Sequence, residues 1–178
     1  MSEAIEQVAP RRLPLEDVHL RAGATLAQRD GWLVPVAYGG AAAEYEAVRG
    51  DGAGLIDSSA RGRIEVSGRE AVQFLNGLIT NDVKTLAPGA SMLAAFPNPQ
   101  GRLLAFARVV RRGDDETFLF DTEPATHATV LKNLERFTLA GDFKVRDLTG
   151  ETIALSVQGA RAAEIVRAVL GEDAAQVA

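Results

Sequence analysis

Two apolar stretches, residues 92–96 and 103–110, are separated by little more than Pro97-Asn98-Pro99-Gln100-Gly101. Proline lacks a backbone donor and glycine tolerates left-handed geometry, so this interval predicts a turn between two strands. A third short run, residues 117–120, follows the polar Arg112-Gly113-Asp114-Asp115. Three consecutive strands with short connections form an antiparallel meander, and one face of a meander must be covered. That need constrains the fold more than any other feature of the chain.

Two helices can supply the cover. Ser67-Gly68-Arg69-Glu70 has the S-x-x-E form of a capping box, and it predicts a helix carrying Ala71, Phe74, Leu75, Leu78 and Ile79 on one face. A second helix is expected to start near Thr122-Glu123-Pro124, where proline is tolerated in the first turn, and to present Val130, Leu131, Leu134 and Phe137. Residues 63–66 read as a strand before the first helix, and residues 143–148 and 152–157 as strands after the second. Gly159 precedes a last helix with Ala162, Ile165, Val166 and Val169 on one face. Residues 41–49 are helix-forming, with Gly50 suited to end the helix. Residues 1–12 read as a disordered lead-in, and residues 13–38 as irregular chain that buries Trp32, Leu33, Val34 and Val36. The fold class is therefore α+β with an antiparallel sheet and helices.

Composition removes several function classes. The 178 residues contain no cysteine and two histidines, His19 and His127. Disulfides, thiol nucleophiles, thiolate ligands and a multi-histidine metal site are excluded, so no metal site is expected. The formal net charge is −5, and the arginines are scattered rather than clustered, which argues against nucleic acid as a partner. No apolar run approaches the roughly 18 residues of a membrane span, and no secretory signal opens the chain. The expected location is cytoplasmic.

Several short motifs then occur in order. They are Leu13-Pro14-Leu15 with His19, Gly31-Trp32-Leu33-Val34-Pro35-Val36-Ala37-Tyr38, and Gly54-Leu55-Ile56-Asp57-Ser58-Ser59. Phe74-Leu75-Asn76-Gly77-Leu78-Ile79-Thr80-Asn81-Asp82-Val83 follows, then the turn 98–101 and Leu155-Ser156-Val157-Gln158-Gly159. In this order the chain resembles the amino-terminal part of the glycine-cleavage T-protein (aminomethyltransferase) family. Arg61-Gly62-Arg63 and the Asn98-Pro99-Gln100-Gly101-Arg102 turn are similar to the family's YgfZ-type folate-binding branch.

The resemblance implies a folate-binding domain over residues 13–178. In it, a ferredoxin-like lobe of about residues 60–148 is inserted into a second, incomplete lobe formed by residues 13–59 and 149–178. It implies tetrahydrofolate or a related folate as the ligand, with iron–sulfur or lipoyl proteins as partners. Aminomethyltransferases move a one-carbon unit from an aminomethyl-lipoyl protein onto tetrahydrofolate and carry two acidic residues shortly after the N-x-x-G turn. Those positions fall on Ala105 and Phe106, neither of which holds a charge. The site residues implied for folate are Arg61, Leu93, Asn98, Gly101 and Arg102. Leu93 stands where the family often places a tyrosine, although its place in an alternating run favours a strand-core role. Arg61 and Arg63 are a candidate pair for the glutamate tail, since guanidinium groups bind carboxylates bidentately.

No catalytic residue is assigned. Asp82 is the one weak candidate for a replacement acid, and a turn or cap role fits it better. His19 and His127 are expected to be structural. The family's downstream lysine–cysteine signature and many of its folate contacts would lie beyond residue 178, so the chain reads as part of a longer protein. The leading expectation is a non-catalytic folate-binding module of the YgfZ type, in iron–sulfur maintenance or one-carbon metabolism. The alternatives are an aminomethyltransferase of the glycine cleavage system and an interaction fragment that needs a carboxy-terminal half.

Overall fold

The expected meander forms three strands, from one edge to the middle, of a five-stranded antiparallel sheet in the computed structural model, which describes residues 9–113, 116–136, 138 and 141–171. The first strand (β1) is Arg11–Arg12, the first helix (α1) Glu16–Arg21, and β2 (Thr25–Arg29) and β3 (Trp32–Ala37) form a hairpin. Next come α2 (Ala41–Arg49), β4 (Gly54–Asp57), β5 (Gly62–Ser67) and α3 (Ala71–Asn76), then a 3-10 turn at Val83–Thr85. The meander is β6 (Ser91–Pro97), β7 (Leu103–Arg111) and β8 (Thr117–Thr122). It is followed by α4 (His127–Glu135), β9 (Lys144–Asp147), β10 (Leu155–Gln158) and α5 (Ala162–Leu170).

The large sheet has the order β6-β7-β8-β5-β9. The chain path from β5 to β9 is βαβββαβ, one strand longer than the ferredoxin-type βαββαβ unit. Its inner face buries Ile64 and Val66 of β5, Ala94 and Phe96 of β6, Ala105, Ala107 and Val109 of β7, and Phe118 and Phe120 of β8. Helix α3 adds Ala71 and Leu75 to this core, and α4 adds Val130 and Leu134. Both expected cover helices therefore lie on one face, and the opposite face of β6 and β7 carries no helix among the described residues. Smaller sheets hold the ends: β1-β3-β2, and β4 paired antiparallel with β10.

Several expectations need correction. Ser67 does not open a capping box, because its backbone belongs to β5, in register with Thr117 and Lys144. Gly68 follows with φ +133°, and the Glu70 carboxylate accepts the backbone N–H of Asp142 instead. Helix α3 is short, so Leu78 and Ile79 reach the core from the turn beyond it. Phe137, expected on the second helix, lies outside the described residues.

The amino-terminal part is more ordered than its composition suggests. Arg11 and Arg12 pair in parallel with Trp32 and Leu33, so the expected lead-in ends earlier than residue 12. The chain expected to be irregular contains α1 and the β2–β3 hairpin. Asp30 and Gly31 close that hairpin with φ of +48° and +78°, the paired left-handed geometry of a two-residue turn. Helix α5 forms at the expected place, but its apolar residues Ile165, Val169 and Leu170 are exposed.

Candidate functional site

The uncovered face of β6 and β7 follows from strand parity. Side chains alternate along a strand, so with Ala94, Phe96, Ala105 and Ala107 turned into the core, Leu93, Ala95, Phe106 and Arg108 face outward. Leu93 is 64% exposed and Phe106 50%. In the ladder Leu93 stands opposite Arg108, and Ala95 opposite Phe106, so the four share one patch. The segment after α3 borders it: the Thr80 N–H donates to the Ala95 carbonyl, and the Ala95 N–H donates to Thr80 Oγ1. Thr80 thus extends the β6 edge.

Of the two positions that would hold acids in a transferase, only Phe106 looks out. Ala105 is 4% exposed and sits among the core residues. Leu93, suited by pattern to a core role, instead belongs to the outward patch, as a folate-contact assignment requires.

The remaining candidates are drawn into the fold in different ways. Asn98 builds its own turn: its Oδ1 accepts the N–H groups of Gln100 (3.0 Å) and Arg102 (2.8 Å). Gly101 has φ +75°, a conformation that favours glycine, so the N-x-x-G signal encodes backbone shape. Arg102 is exposed at the end of this turn. Asp82 has cap duty, its Oδ1 accepting the Lys84 N–H and the Asn76 side-chain amide.

Arg61 is occupied by carboxylates of its own chain. Its Nε donates to Asp121 at 2.6 Å, and its Nη1 pairs with Glu123. Burial works against the Arg61 charge, but these two carboxylates outweigh it and raise its pKa. Arg63 is buried and bonded all round. Its Nε donates to Thr152 Oγ1, and its terminal nitrogens to the carbonyls of Ser59, Arg61, Thr149 and Thr152. Burial lowers the Arg63 pKa although Asp121, Asp147 and Asp57 favour its charge. Arg63 thus clamps β5 to the 148–152 loop, while Arg61 is tied to the end of β8.

Both histidines are held in hydrogen-bonded chains. Asp57, buried on β4, accepts from His19 Nε2 at 2.7 Å, which leaves Nδ1 to accept the Tyr38 hydroxyl at 2.6 Å. Burial raises the Tyr38 pKa, helped by Asp57 and Glu44. His127 Nε2 lies 3.0 Å from Asp147 Oδ2, and its Nδ1 lies 3.1 Å from the Thr122 hydroxyl. Burial alone would push the Asp147 carboxyl up, but bonds from Thr149 and His127 hold it below the usual carboxylate range. Among the described residues no group of three or more His, Cys, Asp or Glu side chains could hold a metal ion. Nor is any described helix long and apolar enough to cross a membrane.

Arg108 was not singled out from the sequence, although it sits two residues beyond Phe106 and parity alone puts both on one face. The Tyr38–His19–Asp57 chain also escaped, because its members are far apart in sequence.

Comparison with known proteins matches residues 15–178 to the model of the GCVT N-terminal domain. An aminomethyltransferase of Desulforamulus reducens is 32% identical over 171 residues, covering 94% of this chain and 45% of that protein. An aminomethyltransferase of Deinococcus deserti is 36% identical over 164 residues, covering 90% and 44%. The crystal structure of glycine cleavage system aminomethyltransferase T from Bartonella henselae superposes with a TM-score of 0.84 at 29% identity, covering 92% of this chain and 44% of that one. The chain therefore spans less than half the length of the curated relatives it matches.

Proposed function

The chain belongs to the family of the GCVT N-terminal domain, and from that premise we propose that it forms a tetrahydrofolate-facing wall of an aminomethyltransferase-type protein and binds folate without supplying the transfer acid. One observation carries the reading: the outward position on β7 where an acid would meet the ligand is Phe106, beside exposed Leu93. A flat apolar patch on a rigid sheet suits an aromatic ligand, and a phenyl ring stacks where a carboxylate would steer a proton. Asp82 caps the 3-10 turn through its Oδ1, a structural duty in place of a transfer acid.

The relatives favour the aminomethyltransferase setting over the iron–sulfur role of the YgfZ-type branch. The features that suggested that branch, Arg61-Gly62-Arg63 and the turn 98–102, serve internal contacts in the fold. A lipoyl protein becomes a partner only where transfer is detected.

Two measurements on the full-length protein test the proposal. Calorimetry with tetrahydrofolate should show saturable binding; no heat at high micromolar ligand would sink the folate assignment. Methylenetetrahydrofolate formation from an aminomethylated lipoyl protein should stay at background. Turnover at the rate of an acid-bearing relative would overturn the non-catalytic part alone.

A further inference from the structure

Among the described residues Arg108 is an unspent cation on the outward face of β6 and β7. On the neighbouring strands it stands opposite Leu93 on one side and Asp121 on the other. Asp121, the obvious partner, is taken by Arg61 at 2.6 Å. Among the described residues the Arg108 side chain has no hydrogen bond or ion pair, and it is exposed. The other arginines near β5 and β8 are engaged: Arg61 by two carboxylates, Arg63 by carbonyls, and Arg112 by Glu65. A lone guanidinium beside two exposed apolar side chains is an arrangement for a ligand that is both aromatic and anionic.

We propose that Arg108 is a specificity-determining residue that reads the glutamate carboxylate of the folate, with Phe106 and Leu93 carrying the aromatic ring before it. This deepens the folate reading given above and rests on it. The spacing is suitable, since residues 106 and 108 lie about 6.8 Å apart along a strand. That is of the order of the distance from a benzoyl ring to a carboxylate of the amino acid amide-linked to it. Arg108 thereby takes the role that Arg61 and Arg63 cannot perform.

The test crosses one change in the protein with one change in the ligand. Binding of tetrahydrofolate is compared with binding of its derivative in which both glutamate carboxylates are blocked as amides, using the full-length wild type, Arg108→Ala and Arg108→Lys. The wild type should prefer the free acid by roughly tenfold, the scale of a charge-assisted hydrogen bond. Arg108→Ala should bind both forms alike, and Arg108→Lys should keep part of the preference because it keeps the charge but loses the fork. Matching thermal melts show that the variants fold. An alanine variant that keeps the full preference overturns the role of Arg108 while leaving folate binding intact. A wild type that binds neither form overturns the folate reading itself.

Discussion

Ala105 and Phe106 are neighbours on β7 that face opposite sides of the same sheet, one sealed in the core and the other half exposed on the bare face. The two positions that the family resemblance equates with a transferase's acids are therefore not equivalent in this chain. A carboxylate at residue 106 would meet solvent or ligand, whereas one at residue 105 would be buried in the core opposite Phe96.

This asymmetry predicts opposite outcomes for two substitutions. Ala105→Asp should destabilise the fold by about 3 kcal/mol or more, because it adds volume and an unpaired charge to a packed core. Phe106→Asp should cost about 1 kcal/mol or less, since the site is half exposed. Urea unfolding of both variants checks the contrast, and similar losses would show that the assignment of faces is wrong.

The clamp at Arg63 gives a second prediction. Arg63→Ala would strand the carbonyls of Thr149 and Thr152 and detach the 148–152 loop from β5. A loss of about 3 kcal/mol is expected, by analogy with breaking a buried charged network. Arg63→Lys should recover little, since one ammonium cannot span acceptors that a planar fork reaches in different directions. Full rescue by lysine in a denaturation series would count against the clamp.

What the sequence could disclose depended on the range of the interactions. The meander was legible because short apolar runs and the turn residues between them are local signals, and α2 was found at its observed bounds from helix-forming residues ending at Gly50. The capping box at Ser67 misled because long-range strand pairing took the residue that local chemistry would assign to a helix. The Asp30-Gly31 turn was a readable hairpin signal that a general impression of irregularity hid. Arg61 looked free in the sequence because its partners, Asp121 and Glu123, lie 60 and 62 residues away. The outward placement of Leu93 is a middle case. Alternation identified its strand, but only the observed core showed which parity faces in.

Close approach at Gly62 predicts a coupling. A Cβ added there would lie 2.0 Å from His127 Nδ1 and 2.4 Å from Thr122 Oγ1, so Gly62→Ala must displace the imidazole. His127→Ala removes that obstacle and leaves the threonine hydroxyl. In a double-mutant cycle, Gly62→Ala should therefore cost less in the His127→Ala background than in the wild type, by at least about 0.5 kcal/mol. Additive losses would mean that the imidazole does not hold this position in solution.

The depressed carboxyl of Asp147 fixes the sign of a pH effect. Its folded pKa lies below the ordinary 3.8 because bonds from Thr149 and His127 outweigh the effect of burial. A group of this kind binds fewer protons folded than unfolded, so its stabilisation is complete above the unfolded value. It fades as pH falls toward and through the lower folded value. Asp147→Asn should therefore be less stable than wild type at neutral pH, and the gap should narrow as the buffer is taken from pH 6 to about pH 3. The side chain is partly exposed, so solvent screening keeps the gap small. Chemical denaturation of both proteins across that range reads the difference directly, and a gap that widens toward acid would reverse the assigned direction of the shift.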